Sequence, residues 1–268
     1  MKKNKNYVDL KDQPVPEGQH LLEVDDLKMY FHTEDGVVRA VDGVSYTLDR
    51  GETLGVVGES GSGKSVTAMT IMGLISMPPG KIEGGDVRYR GRSILEMTEE
   101  EMQHIRGNDI AMVLQDPRYA LNPVKTVKAQ LEEALTLHQR LNRREKEEKI
   151  NTAIQAVGLN TRVLQSYPRE LSGGMGQRVM IAIALINDPR VLIADEPTSA
   201  LDVRLRNQIL ELLVTQCEQR QMAMLLISHD LPLVAQFCHR VLVMYQGNKV
   251  DEMHAAALPT ATHPYTRT

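Results

Sequence analysis

Cysteine and net positive charge are both scarce in this sequence, and each shortage excludes a class of protein. Only two of the 268 residues are cysteines, Cys217 and Cys238, which is too few for a disulfide framework. We expect both in the core as small apolar residues, and a reducing cytosol fits this usage. The formal net charge is −4, so the composition gives no electrostatic footprint for nucleic acid.

Long apolar runs are also missing. The longest run, Val179 to Ile186, is far shorter than the roughly 20 residues that span a bilayer. The N-terminus is polar and lacks the apolar stretch of a secretory signal. We therefore expect that the chain does not cross a membrane by itself, and that any membrane association is through another protein.

The order of the apolar segments predicts an α/β fold. Residues 1–20, rich in Lys, Asn and Pro, are expected to be a flexible lead. Short strand-like segments then precede a predicted helix over Lys64–Ile75, and strands and helices alternate again after Gly173. Such alternation implies a mostly parallel sheet with helices on its faces. The intervening pattern is helical, which predicts a helical subdomain over about 116–180.

The segment Gly58–Ser65, GESGSGKS, fits the phosphate-loop pattern G-x-x-x-x-G-K-[ST] at every fixed position. Its glycines let successive backbone N–H groups point at phosphate oxygens. Lys64 supplies a cation to the β- and γ-phosphates, and the Ser65 hydroxyl suits Mg²⁺. The predicted ATP-binding residues are Gly58, Glu59, Ser60, Gly61, Ser62, Gly63, Lys64, Ser65 and Val66.

Polar residues follow three further apolar segments. VLIADE ends in Asp195 and Glu196, AMVLQ ends in Gln115, and AMLLISHD contains His229. Ligands of open α/β sheets bind at the carboxyl ends of strands. We expect Asp195 to lie beside Mg²⁺ and Glu196 to polarise the attacking water. Gln115 would contact both the Mg²⁺ and the water, and His229 would contact the γ-phosphate. Taken alone, a histidine or glutamine in such a place more often has a structural role.

A second glycine-rich segment, Leu171–Arg178 with the sequence LSGGMGQR, also precedes a predicted helix but contains no lysine. The ordered set of phosphate loop, Gln115, LSGGMGQR, VLIADE, SALD (199–202) and His229 resembles the ATP-binding subunits of ABC transporters. The resemblance covers about residues 21–268. It implies an ABC ATPase domain with a P-loop NTPase (RecA-like) core, an antiparallel β portion and the inserted helical subdomain.

The resemblance also implies roles for matching positions. Phe31 stacks on adenine, with Tyr30 as the alternative, and Gln115 opens the loop that touches the membrane subunits. Glu196 is the catalytic base, and ATP and Mg²⁺ are the cofactors. The implied catalytic residues are Glu196, His229 and Gln115, and the implied Mg²⁺ residues are Ser65, Gln115 and Asp195.

The missing lysine of LSGGMGQR has an explanation in the same resemblance. Ser172, Gly173 and Gly174 approach the γ-phosphate that is held by the phosphate loop of a second subunit. Two subunits pair head-to-tail with two ATP molecules between them, and Asp202 contributes to the dimer contact. Backbone N–H groups and a helix dipole stabilise phosphate charge without a side-chain cation.

Finer motifs resemble the peptide and nickel importer group: GESGSGKS, QDPRYALNP, LSGGMGQRVMIA, IADEPTSALDV and HPYT. The group implies a peripheral ATPase on the cytoplasmic face of the bacterial inner membrane. Its partners are two permease subunits, an extracytoplasmic substrate-binding protein reached through the permeases, and a second ABC ATPase. That ATPase is usually a different chain, and a second copy is the alternative. The implied cargo is dipeptides or oligopeptides, with nickel or a metallophore as the alternative, and the departure at Arg118-Tyr119-Ala120 leaves that choice open. Gly176 also departs from common relatives, which have Arg or Ser at this position.

Two other classes of protein fit the sequence less well than a transport ATPase. Soluble ABC ATPases of DNA repair place long coiled coils between the phosphate loop and LSGG, but the interval from Ser65 to Leu171 is too short and lacks sustained heptads. A small-molecule kinase gives no reason for LSGGMGQR. The sequence therefore favours a transport ATPase without a nucleic-acid partner.

Overall fold

The computed structural model describes residues 10–199, 201–261, 263 and 266, with the backbone alone for Val203. The strands are β1 Leu22–Thr33, β2 Gly36–Leu48, β3 Thr53–Val57, β4 Gly80–Tyr89, β5 Arg92–Ser93, β6 Ile110–Val113, β7 Val191–Asp195, β8 Ala223–Ser228, β9 Arg240–Tyr245 and β10 Asn248–His254. The α-helices are α1 Lys64–Ile71, α2 Glu99–Ile105, α3 Pro117–Ala120, α4 Val127–His138, α5 Arg143–Ala156, α6 Gly173–Leu185, α7 Val203–Arg220 and α8 Leu231–Phe237.

The strands form two sheets. In the larger sheet the order is β10-β9-β3-β8-β7-β6, and every neighbouring pair is parallel except β10 with β9. The smaller sheet has the order β2-β1-β4-β5 and is antiparallel throughout. The predicted mostly parallel core with an antiparallel portion is therefore what the chain forms.

Both faces of the parallel sheet are buried, which is why its strands read as continuous apolar runs. In β7, Val191 and Ile193 face the core shared with the antiparallel sheet and α1. Their neighbours Leu192 and Ala194 face the opposite core, which is shared with α4 to α8. Asp195 is the last residue of β7 and so lies at the carboxyl end of the strand, where the ligand site is predicted.

The helical segment between β6 and β7 contains α3 to α6. Thr126 caps α4, and Asn142 caps α5 with Glu145 in a reciprocal pair of hydrogen bonds. The mixed-charge run at the start of α5 is mainly solvent-facing, and the buried face of α5 starts at Ile150. Helix α6 continues to Leu185, so the predicted boundary near residue 180 falls inside a helix. The boundaries of the subdomain stay a prediction.

Two expectations need correction. Helix α1 ends at Ile71 instead of Ile75, because Gly73 adopts a φ of 59° and the Leu74 N–H bonds back to the Met69 carbonyl. Such a left-handed glycine followed by a backward hydrogen bond is a common helix ending.

Among the described residues, no helix is both long and apolar enough to cross a membrane.

The second correction concerns the lead, which is attached to the core from Leu10 onward. Leu10 is 1% exposed, the Lys11 carbonyl accepts a hydrogen bond from Arg90 at 2.8 Å, and Asp12 pairs with Arg190. The prediction of a flexible lead was wrong for these three residues. Their partners lie far along the chain, and composition alone contains no information about such contacts.

Candidate nucleotide-binding site

The predicted phosphate loop connects β3 to α1 and closely approaches neighbouring backbone. A Cβ on Gly58 would lie 2.2 Å from the Met244 carbonyl oxygen, and one on Gly63 would lie 2.3 Å from that of Ala40. Gly58 and Gly63 also have φ angles of 154° and 101°, which L side chains rarely adopt. Both positions therefore require glycine, and the loop is held in one shape by β2 and β9.

Lys64 is folded into its own loop. Its Nζ donates to the carbonyls of Gly58 at 2.7 Å and Glu59 at 2.8 Å. Burial lowers the pKa of Lys64, while the nearby charges of Glu196 and Asp195 act to raise it. A buried ammonium at the N-terminus of a helix favours an anionic ligand, because both the charge and the helix dipole attract phosphate.

The remaining loop residues divide by exposure. Glu59, Ser60 and Gly61 lie exposed at the tip of the loop, and Ser62 is buried with its Oγ 3.4 Å from the Lys64 Nζ. The Val66 side chain packs against the core below. The tip is thus open on the side where successive backbone N–H groups of a phosphate loop meet their ligand.

Ser65 and Asp195 supply adjacent oxygen atoms. The Ser65 hydroxyl donates to Asp195 Oδ1 at 2.9 Å. Burial raises the pKa of Asp195, as does the charge of Glu196, while the Ser65 hydrogen bond and Lys64 act to lower it. A hydroxyl oxygen beside a partly desolvated carboxylate fits a small, hard cation such as Mg²⁺, which prefers oxygen ligands.

Two of the three predicted catalytic side chains, Gln115 and His229, flank the carboxylate of the third, Glu196. Gln115 Nε2 lies 3.4 Å from Glu196 Oε2, and His229 Nδ1 lies 3.4 Å from Glu196 Oε1. Glu196 has a left-handed φ of 45°, and its N–H donates to the Ile227 carbonyl at 3.0 Å. Non-glycine residues in this region are uncommon and cluster at functional sites. The structure therefore assembles the ends of three strands as the sequence predicts.

The signature segment lies at the start of α6. Ser172 caps the helix by accepting the Met175 N–H at 3.4 Å. Ser172 and Gly173 are exposed, and a Cβ on Gly174 would lie 3.4 Å from Leu205. Asp202 caps α7 by accepting the Leu205 N–H at 3.0 Å. The two segments predicted to contact a second subunit are thus neighbours in this chain.

Some predicted motifs are described only in part. Ala200 of SALD and the Pro264 and Tyr265 of HPYT lie outside the described residues.

The predicted adenine contact remains a prediction. Phe31 is partly buried in β1, paired with Val38 in β2. The hydroxyl of the alternative residue, Tyr30, donates to Asp42 at 2.6 Å, and its ring lies under Arg39 at 5.6 Å. Since the tyrosine is engaged in these contacts, Phe31 is the better candidate for stacking.

Two side chains with no predicted role contact the chain neighbours of predicted catalytic residues. The Gln177 Nε2 donates to the Pro197 carbonyl at 2.6 Å, and the Arg206 Nη1 donates to Asp230 Oδ2 at 3.1 Å. Gln177 belongs to the QR of LSGGMGQR, a motif that by itself assigns no role to this glutamine. The missing information was its partner, because no local pattern links residues that are 20 positions apart.

The unusual Gly176 also finds a partner. A Cβ at this position would lie 3.3 Å from Pro117 Cγ, tighter than most real contacts. The glycine therefore allows α3, in the segment that follows Gln115, to lie against the start of α6.

Comparison with known proteins decides the family. The sequence profile of the family described as ABC transporter matches residues 41–199, more than half of the chain. The chain belongs to the ABC transporter family. A probable peptide ABC transporter ATP-binding protein of Sinorhizobium fredii is 46% identical to this cassette over 95% of its length and 77% of the relative. The dipeptide transport ATP-binding protein DppD of Escherichia coli is 44% identical over 92% of the cassette and 76% of the relative.

A solved structure supports the same assignment. The dimeric structure of a post-hydrolysis state of the ATP-binding cassette MJ0796, bound to ADP and Pi, has a TM-score of 0.78 and 26% identity, and covers 87% of this chain and 98% of that one. The predicted family and fold are confirmed. The cassette described here is an ABC ATPase that binds ATP and hydrolyses it.

Proposed function

We propose that this cassette is the ATP-hydrolysing subunit of a bacterial peptide importer, in which ATP-driven pairing with a second cassette moves two membrane permease subunits. The observation that carries the proposal is the Glu196 carboxylate, flanked at 3.4 Å on one oxygen by Gln115 and on the other by His229. The relatives named above are peptide and dipeptide transport proteins. Those names favour peptides over nickel or a metallophore as cargo.

Hydrolysis needs a base, a positioned water and neutralised phosphate charge. Glu196 accepts the proton of the water, and Gln115 and His229 orient that water towards the γ-phosphate. Lys64 leaves its loop carbonyls for the β- and γ-phosphates, while the backbone N–H groups of the loop bind the phosphate oxygens. Ser65, Gln115 and Asp195 would hold Mg²⁺, which when bound neutralises phosphate charge.

The site is completed by a second subunit in this proposal. The N-terminus of α6 contacts the γ-phosphate held by the partner, through Ser172, Gly173 and Gly174. Asp202 contributes to the contact between the two subunits. The partner is a different ABC ATPase chain, with a second copy of this chain as the alternative. Because ATP then lies between two surfaces, binding joins the subunits and hydrolysis weakens the contact.

The permeases dock beside the loop that starts at Gln115. An open groove of about 480 Å³ lies there, with Leu114, Tyr119, Leu137 and Met180 among its lining residues. Tyr119 is 89% exposed and Leu137 is 68% exposed, so the groove presents these side chains together as a surface of the kind that protein partners cover. In this proposal the cassette works peripherally on the cytoplasmic face of the inner membrane, and reaches the extracytoplasmic binding protein through the permeases. Residues 21–268 act as one ABC ATPase domain.

The decisive experiment is the substitution Glu196→Gln. It removes the base but keeps the shape and hydrogen-bonding atoms of the side chain. We expect ATP affinity within twofold of the unmodified cassette, ATP hydrolysis reduced about 100-fold or more, and an ATP-dependent dimer. The measurements are nucleotide titration, phosphate release and size-exclusion chromatography with ATP.

Glu148→Gln is the matched control, because Glu148 is an exposed glutamate on α5. Full hydrolysis by Glu196→Gln would contradict the proposed base. In the reconstituted importer, peptide-loaded binding protein should stimulate hydrolysis. Stimulation by nickel-loaded binding protein instead would contradict peptide as the cargo.

A further inference from the structure

Gln177 joins the signature helix to the residue that follows the proposed base. It lies on α6, five positions after the helix cap Ser172, and is only 1% exposed. Its Nε2 donates to the Pro197 carbonyl at 2.6 Å, and Pro197 follows Glu196 directly in the chain. This buried hydrogen bond therefore spans from the helix that carries the signature to the segment that carries the base.

The bond acts on a residue whose backbone conformation needs support. A left-handed φ of 45° at Glu196 is costly for a residue with a side chain and persists only when its surroundings hold it. On the N-terminal side, the Glu196 N–H is fixed to the Ile227 carbonyl. On the C-terminal side, Pro197 has no N–H to donate. Its carbonyl is the group that Gln177 holds.

We propose that Gln177 is a positioning residue for Glu196, through which the signature helix sets the alignment of the base in its own chain. The inference rests on the proposed function, in which Glu196 is the base and the signature contacts the ATP of the second subunit. When that ATP docks on Ser172, a displacement of α6 reaches Pro197 through one hydrogen bond. Loading of one composite site thereby affects catalysis in the other.

A purely structural role for Gln177 has an internal comparison. Gln130 is also a buried glutamine, 8% exposed, and its Nε2 donates to the carbonyls of Asn122 at 3.1 Å and Lys125 at 3.0 Å. Both acceptor residues lie before α4, and neither is next to a predicted catalytic residue. Gln177 and Gln130 are thus both buried glutamines that donate to backbone carbonyls, but only the acceptor of Gln177 adjoins the proposed base.

The test compares Gln177→Met with Gln130→Met in the full chain. Methionine keeps the length of the side chain and removes the donor. For Gln177→Met we expect kcat to fall about tenfold, the scale of one hydrogen bond, with ATP affinity within twofold of the unmodified chain. For Gln130→Met we expect both quantities within twofold. If Gln177→Met does not fold, Gln177→Glu keeps the shape, places a carboxylate against the Pro197 carbonyl and should show the same loss.

A double-mutant cycle separates positioning from general damage. If Gln177 acts through Glu196, Gln177→Met should lower the residual hydrolysis of a Glu196→Gln chain by less than twofold. A tenfold loss in that background as well, or equal losses for Gln177→Met and Gln130→Met, would overturn the positioning role. Full activity of Glu196→Gln alone would instead refute the proposed base, so the two failures are distinguishable.

Discussion

The phosphate loop and the signature segment are both glycine-rich turns that lead into a helix, yet glycine is required for different reasons in the two segments. Gly58 and Gly63 have φ angles of 154° and 101° and leave no space for a Cβ. Gly173 and Gly174 belong to the first turn of α6, and a Cβ on either would be in ordinary contact with its neighbours across the fold, at 3.4 Å or more. In one loop glycine makes the turn feasible, and in the other it keeps a helix end accessible.

The two regions also differ in how they handle charge. The phosphate loop contains a buried lysine bonded to its own carbonyls. The signature segment offers an exposed hydroxyl and the N–H groups of a helix end. In our proposal the first is a complete anion site within one chain, whereas the second is half of a site that another subunit completes. Substitutions in the two regions should therefore fail at different stages.

The largest expected effect comes from Lys64→Ala. Removing a cation that makes charge-assisted hydrogen bonds to phosphate should weaken ATP binding on the order of 100-fold. Titration of the single chain with a fluorescent ATP analogue measures it. Lys81→Ala is the control, since Lys81 is exposed and pairs only at the surface with Glu83. Equal affinities for the two variants would remove the phosphate-loop assignment.

A smaller effect, and at a later stage, is expected from Ser172→Ala. In our proposal the Ser172 hydroxyl meets the ATP held by the second subunit and not the ATP bound to its own chain, so ATP affinity of the single chain should stay within twofold. Hydrolysis at saturating ATP should fall about tenfold, the scale of one hydrogen bond to a charged group. Phosphate release at a cassette concentration that supports dimers measures it.

The matched control for Ser172→Ala is Thr126→Ala. Ser172 and Thr126 both cap a helix by accepting the N–H three residues later, so each substitution costs about 1 kcal/mol of stability. Equal losses of hydrolysis in the two variants would show that Ser172 acts only as a cap, and the comparison of the two loops would lose its basis.

The smallest effect concerns the stability of the phosphate site itself. Burial raises the pKa of Asp195 in the folded chain. The stability associated with its proton is therefore complete below the unfolded value, about pH 4, and is lost as the pH rises through the folded value. Asp195→Asn avoids this loss. The nucleotide-free variant should melt higher at pH 7, by about 2–4 °C per kcal/mol, while its gain disappears towards pH 4.

Thermal melting at the two pH values tests this expectation, with the exposed Asp35→Asn as control. The attraction between Asp195 and Lys64 acts in the opposite direction, but it is a smaller contribution than burial. A lower melting temperature for Asp195→Asn at pH 7 would show that the attraction outweighs burial. The same variant should bind Mg²⁺-ATP more weakly, so stability and function are expected to change in opposite directions.

Much of the fold could be predicted from the sequence, because strands and helices depend on patterns of neighbouring residues. The short apolar runs VLIA and AMLLI correctly marked the segments that form β7 and β8. The end of α1 was placed four residues too far, although Gly73 was visible, because an apolar pattern continues past it. The attachment of Leu10 to Asp12 was not readable, since it depends on Arg90 and Arg190.

The sequence by itself determined the chemistry: a phosphate loop, acids and a histidine at strand ends, and a lysine-free second loop. These are set by residue types at fixed short spacings, which a linear pattern contains. Only the tertiary structure decided which side chains support them. Glu196 meets Gln115 and His229, and Gln177 reaches Pro197, because parallel strands end at one edge of the sheet and α6 packs close to it. Distances across a fold depend on packing, and no spacing along the chain encodes them.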